Sequence, residues 1–154
     1  MKRMTILAFA LALPLTAFGD ESEAKKLAQE ILDKGSALFD TRDAIAMTAT
    51  YTDDAQVFWV EKDNSTGEIK TNAKKGTTEI EGLYREVFKD KNEKTTSKNT
   101  VEYARFVAPD ILIIQGLFQP NVANQGKFPF LQIRVKQGDK WLIKNLQLFV
   151  ISQD

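Results

Sequence analysis

The stretch FPFLQIRVKQGDKWLIKNLQLFVI, residues 128–151, decides the fold. Two runs rich in β-branched and aromatic residues, 128–137 and 140–151, flank Gly138-Asp139. A two-residue connection of this kind needs a positive φ, which glycine supplies, so the stretch predicts a β-hairpin. Strict alternation then gives the hairpin two unlike faces. Leu131, Ile133, Val135, Leu142, Leu146, Leu148 and Val150 share one, interrupted only by Lys144. Phe130, Gln132, Arg134, Trp141, Ile143, Asn145, Gln147 and Phe149 share the other. Both are too apolar to face water alone. The hairpin is therefore expected in a sheet covered on both sides, dry on the aliphatic side and lining a polar pocket on the mixed side.

Working outward, residues 99–108 and 111–119 read as strands joined at Pro109-Asp110, so four successive strands form an antiparallel meander. Residues 23–40 carry apolar side chains at helical spacing, with Ser22 as N-cap and Gly35 weakening the middle. A second helix is expected over 41–51, with Ala44, Ile45, Met47, Thr48 and Tyr51 turned inward and Thr52-Asp53-Asp54 ending it. Residues 55–61 form a strand, 68–72 a short return strand, and 78–89 a third helix capped by Thr77 or Thr78. Lysine-rich 89–98 reads as a solvated loop. Helices gathered on one face of an antiparallel sheet define the α+β class. The expected architecture is a strongly curved sheet packed against three N-terminal helices, with a hollow between them.

Bulk properties narrow the function classes. Lys2 and Arg3, the apolar run 6–15 and the small residues around Gly19 read as a signal peptide over 1–19, cleaved near Gly19-Asp20. The apolar run is too short to span a membrane. Residues 20–154 then form one exported domain, periplasmic or secreted. The chain has 21 basic and 21 acidic residues, and the leader removes two bases and no acid. Such a balance gives no electrostatic reason to expect nucleic acid or an anionic membrane surface. No cysteine and no histidine occur. Disulfides are excluded, the commonest general base is missing, and a zinc site has no ligands. No acidic loop has calcium-loop spacing, so neither metal nor cofactor is expected.

Several local patterns resemble a known family. Asp43-Ala44-Ile45-Ala46-Met47 through Tyr51-Thr52-Asp53-Asp54-Ala55, running into a strand, resembles the second helix and first strand of SnoaL-like domains. These belong to the nuclear-transport-factor-two-like superfamily, which includes ketosteroid isomerases. Gly76 followed by Ile80-Glu81-Gly82-Leu83-Tyr84-Arg85-Glu86-Val87-Phe88 is similar to the family's third helix, and Lys136 to Ile143 to its last hairpin. The resemblance implies a cone-shaped fold with a pocket at the wide end, and a homodimer formed through the outer sheet face. The superfamily hosts both enzymes and binding modules, so fold does not decide function. Many enzymatic members have a histidine near the end of the last strand, where this chain has Gln147, which cannot act as a base.

The expected ligand-binding residues are Arg134 with Gln132, Asn145 and Gln147, joined by Tyr51, Trp59, Tyr84 and Tyr103. Arginine can clamp a planar anion, and aromatics with a polar tip suit an apolar ligand carrying one oxygen. The first functional expectation is an exported, non-catalytic domain binding a small amphipathic or anionic molecule. The second is an isomerase, cyclase or dehydratase of the ketosteroid-isomerase type, with Asp54 or Asp53 as base and Tyr84 or Tyr103 as hydrogen-bond donor. Asp in a turn more often bonds its own backbone.

Overall fold

The computed structural model describes residues 20–63, 65–89, 96–120 and 126–151. The expected signal peptide, residues 1–19, and residues 90–95 of the lysine-rich loop lie outside them. The described elements run α1 (Glu21–Thr41), α2 (Ala44–Thr48), β1 (Tyr51–Lys62), β2 (Ile69–Lys75), α3 (Gly76–Lys89), β3 (Lys98–Ala108), β4 (Ile111–Gln119), β5 (Phe128–Gln137) and β6 (Lys140–Val150).

The strands form one six-stranded, unclosed sheet in the order β2-β1-β6-β5-β4-β3. β3 to β6 form the expected meander. β1 joins it beside β6 in parallel, while the other neighbours in the sheet are antiparallel. The β5–β6 connection is as read, with Gly138 at φ 59° and Gln137 opposite Lys140. Glycine at the first central position matches a turn whose twist suits the flanking strands.

Two differences from the sequence reading have local causes. α2 is only five residues long. The Asp43 carboxylate caps it by accepting from the Ala46 N–H, and the Thr48 and Thr50 hydroxyls donate back to the Ala44 and Met47 carbonyls. Such back-bonding competes with helix continuation, so Tyr51 opens β1 instead of closing the helix. Ile45 points outward and is 62% exposed. α3 starts earlier than expected, at Gly76 (φ 74°), where the Glu79 carboxylate reaches back to the Lys75 N–H at 2.9 Å.

The helices cover the inner face of the sheet in two groups. α1 lays Ala24, Ala28 and Leu32 against Ala104, Leu112, Ile114 and Phe130. Two alanines four apart bring the helix close to the strands. The Gln29 side chain fixes it sideways by donating to the Asn99 carbonyl at 3.0 Å and accepting from the Val101 N–H at 3.1 Å. These bonds also occupy backbone groups on the edge strand β3. α2 and α3 gather Met47, Ile80 and Tyr84 over Tyr51, Ala55, Val57 and Ile143. Leu32, Ile80, Leu112 and Ile114 are fully buried, and truncating any of them to alanine would cost about 2–5 kcal/mol. Leu146 touches both groups, and the space between them is open.

A one-residue irregularity sets the faces of β6. Arg134 pairs with Ile143, but Ile133 pairs with Asn145, so Lys144 has no partner across the ladder. This is a β-bulge, and an extra residue reverses the alternation beyond it. Trp141 and Ile143 keep the expected face with Arg134. Leu146 and Leu148 come opposite Gln132 and Phe130, facing inward, while Asn145 and Gln147 come opposite Ile133 and Leu131, facing outward. The strictly alternating faces expected for residues 145–150 are therefore exchanged. Lys144 bonds the Asp54 carboxylate on β1, where β1 also departs from regular register between Tyr51 and Gln56.

Candidate functional site

The space between the helix groups is a cavity of about 840 Å³. Its floor is the inner face of β5 and β6, from Phe128, Phe130, Gln132 and Arg134 to Trp141, Ile143, Leu146, Leu148 and Val150. Leu27, Ile31 and Leu38 of α1 form one wall, and Met47, Tyr51, Leu83 and Tyr84 the opposite one.

The polar groups on the floor come from adjacent inward positions of β5. Gln132 and Arg134 are 8% and 5% exposed. The Arg134 Nε donates to the Gln132 Oε1 at 2.9 Å, and its Nη1 donates to the Trp141 carbonyl at 3.0 Å. No carboxylate among the described residues pairs with it. Burial pushes its pKa down to about 10, partly offset by the fields of Tyr51 and Tyr84, so it remains a cation at neutral pH.

Tyr51 and Tyr84 meet on the wall, hydroxyl to hydroxyl, at 2.6 Å. Burial raises both phenols, and the neighbouring Tyr84 raises Tyr51 further. Both are therefore neutral hydrogen-bonding groups at physiological pH. Phe39 packs edge-on against Tyr84, Phe88 and Phe118, tying α1 to α3 and β4.

Of the expected ligand-binding residues, Arg134, Gln132, Tyr51, Trp59 and Tyr84 line this cavity. Trp59 donates its indole N–H to Glu61 at 2.8 Å. Asn145 and Gln147 do not line it, because the bulge turns them to the outer face with Leu131 and Ile133. Tyr103 is also absent: it pairs with Gln115, out of phase with the inward Ala104 and Ile114. Asp53 and Asp54 are exposed and off the lining. The Lys144 ammonium, then the Thr52 hydroxyl, hold the Asp54 carboxyl below its ordinary value. The contrast between Gln147 and a catalytic histidine therefore says nothing about this cavity.

Sequence reading missed Trp141 as a site residue, although it shares the alternation of Arg134 across the turn. It also missed the flank of α1 formed by Leu27, Ile31 and Leu38. The signal for the bulge was present: Lys144 stood alone on an otherwise aliphatic face.

No protein-family model matches the chain, and no characterised protein matches it in sequence. Solved structures do resemble it. An NTF2-like protein of unknown function from Pseudomonas putida KT2440 aligns with a TM-score of 0.66 at 12% identity, over 85% of this chain and 89% of its own. The fold is the NTF2-like cone. A second NTF2-like protein of unknown function, from Shewanella oneidensis MR-1, aligns at TM-score 0.60 and 16% identity over 78% and 93% of the two chains. A ketosteroid isomerase-like protein from Erwinia carotovora atroseptica SCRI1043 aligns at TM-score 0.57 and 18% identity over 88% and 100%. At these identities the likeness establishes the NTF2-like architecture, within which the cavity lies between helices and sheet.

Proposed function

We propose that this protein is an exported domain that holds a small amphipathic molecule in the cone and does not transform it. The observation that carries the reading is the distribution of chemistry around the cavity. Its volume of about 840 Å³ falls in the range of roughly 300–1,000 Å³ usual for ligand sites. Its walls are mostly aliphatic and aromatic, with Arg134, Gln132 and the Tyr51–Tyr84 pair as a small polar set. An isomerase of the Asp/Tyr type would need a base beside the substrate. The carboxylate on the described lining is Asp139, in the exposed β5–β6 turn.

A neutral apolar fluorophore, N-phenyl-1-naphthylamine, tests the reading. Saturable binding at one site per chain, with a rise in melting temperature, is expected. Lack of saturable binding to the folded protein would overturn it.

Export rests on the leader pattern of residues 1–19. Pairing of two copies through the outer sheet face is supported by the half-buried Leu131, Ile133, Val135 and Leu142 there, flanked by the amides of Asn145 and Gln147. Aliphatic side chains on an uncovered sheet face are usual at subunit contacts. A dimer mass in solution that Ile133→Asp reduces to a monomer is the expected result, and a wild-type monomer would exclude it.

A further inference from the structure

We infer that the cavity's ligand is a long hydrophobic monocarboxylate, bound with its carboxylate at Arg134 and its tail along β5 and β6 toward Phe128. The inference rests on the small-molecule reading above and deepens it.

The head group follows from the unused hydrogen-bonding capacity around Arg134. The acceptors beside it are already engaged: Gln132 Oε1 takes the Nε–H, and the Trp141 carbonyl takes an Nη1–H. What remains is donors. Among the described residues nothing accepts from the Arg134 Nη2 or from the Gln132 side-chain amide nitrogen. In the Tyr51–Tyr84 pair one hydroxyl donates to the other, and the acceptor's own hydrogen is left over. A buried cation without a carboxylate partner, surrounded by spare donors, favours one anionic group rich in acceptors. A carboxylate meets that need with charge-assisted bonds. A second anionic group would have no buried cation to meet it, and that desolvation would be strongly unfavourable. Lys136 and Lys140 belong to the cavity lining at the same end of the hairpin as Arg134. With the Asp139 carboxylate on the same turn, they leave a net positive charge that would attract an anion.

The tail follows from the floor. Arg134 and Phe128 stand six positions apart on one strand, about 20 Å at the usual rise of roughly 3.3 Å per residue. Between and beyond them the inward positions are Phe130, Leu146, Leu148 and Val150, faced by Ile31 and Leu38, with Phe118 at the far end. Apart from Gln132, beside the head group, this path is apolar. It suits an extended hydrocarbon body, with the anionic end at the β5–β6 turn.

The test is displacement of N-phenyl-1-naphthylamine by hexadecanoate and by hexadecan-1-ol, on the wild-type protein and on Arg134→Gln. Hexadecanoate should displace the probe at about tenfold lower concentration than the alcohol, as expected for charge-assisted bonding. Arg134→Gln should erase that preference while still binding the probe. Equal displacement by acid and alcohol, or a preference that survives the substitution, would overturn the head-group assignment and leave the small-molecule reading standing. Displacement by octanoate as effective as by hexadecanoate would overturn the extended-tail assignment. If Arg134→Gln does not fold, Lys136→Gln/Lys140→Gln on the intact site gives the alternative test. Loss of salt-sensitive acceleration of acid binding supports the anion geometry, and unchanged salt sensitivity counts against it. Failure of the wild type to bind the fluorophore would instead remove the reading on which the inference rests.

Discussion

The hydroxyls of Tyr51 on β1 and Tyr84 on α3 lie 2.6 Å apart, buried where the second helix group meets the sheet. One bond thus serves two residues 33 positions apart in sequence. Removing one hydroxyl leaves the other without its partner, at a cost of about 1–3 kcal/mol, whereas removing both leaves two rings of unchanged shape. Tyr51→Phe and Tyr84→Phe are each expected to destabilise by that amount, and the double variant by less than their sum. Urea unfolding of the four proteins in a double-mutant cycle measures the coupling. Strict additivity would show that the bond contributes nothing.

Among the described residues, Arg134 is held in the cavity by two hydrogen bonds and has no carboxylate partner, an arrangement that favours an anion at the expense of the empty protein. Replacing buried charged groups with apolar ones of similar volume is commonly neutral or stabilising by about 1–4 kcal/mol. The double variant Gln132→Leu/Arg134→Met should therefore unfold at equal or higher urea concentration than the wild type when both are ligand-free. A clear loss of stability would mean that the pair acts chiefly as a structural strut.

The bulge at Lys144 gives a third expectation. Lys144→Ala keeps the residue count and should leave the fold and the cavity unchanged. It should remove only the contact with Asp54, whose carboxyl is held below its ordinary value of 3.8. A depressed acid stabilises above its ordinary value and loses that contribution as pH falls through the lowered one, so the variant should differ from wild type near neutrality and converge with it in strong acid. Deleting Lys144 removes the extra residue itself. Ile143 opposite Arg134 is then followed directly by Asn145 opposite Ile133, so plain alternation keeps Asn145 and Gln147 outside and Leu146 and Leu148 on the cavity floor. The deletion variant should therefore still fold and bind the fluorophore. Loss of binding with an unchanged far-ultraviolet circular dichroism spectrum would mean that the bulge itself shapes the cavity.

Gly35 of α1 borders the cavity, and a Cβ there would meet no atom within 4 Å. Gly35→Ala should stabilise the helix by about 0.5–1 kcal/mol, the usual difference between these residues in a helix interior. Gly35→Trp should fill the cavity and abolish fluorophore binding while the far-ultraviolet circular dichroism stays the same. Undiminished binding to the tryptophan variant would place the fluorophore elsewhere.

The elements that could be read from the sequence were those in which periodicity and turn chemistry agree. The 128–151 hairpin has β-branched alternation and a glycine at its turn, and α1 has alanines and leucines at helical spacing. α2 was misjudged because hydrophobic periodicity continues through Tyr51, although threonine hydroxyls end the helix first. In the cavity, Arg134 and Gln132 were legible because they lie on β5, the strand without the extra residue, where alternation is unbroken. Asn145 and Gln147 lie beyond the bulge on β6, and a single added residue moved both outside. Tyr51 and Tyr84 could each be suspected of facing the cavity, but their pairing depends on how α3 sits over β1, which no local pattern encodes.

The Gln29 amide that fixes α1 to β3 reaches across 72 residues to Val101, and β1 finds its parallel partner only in β6. A polypeptide emerging from its N-terminus can therefore form α1 and the β1–β2 hairpin early but cannot seat either until the meander exists. Contacts this distant in sequence slow folding and prolong the exposure of apolar strands. The protein should accordingly fold late and largely in one step once β6 is available, and shortened chains lacking β6 should be collapsed and prone to aggregate.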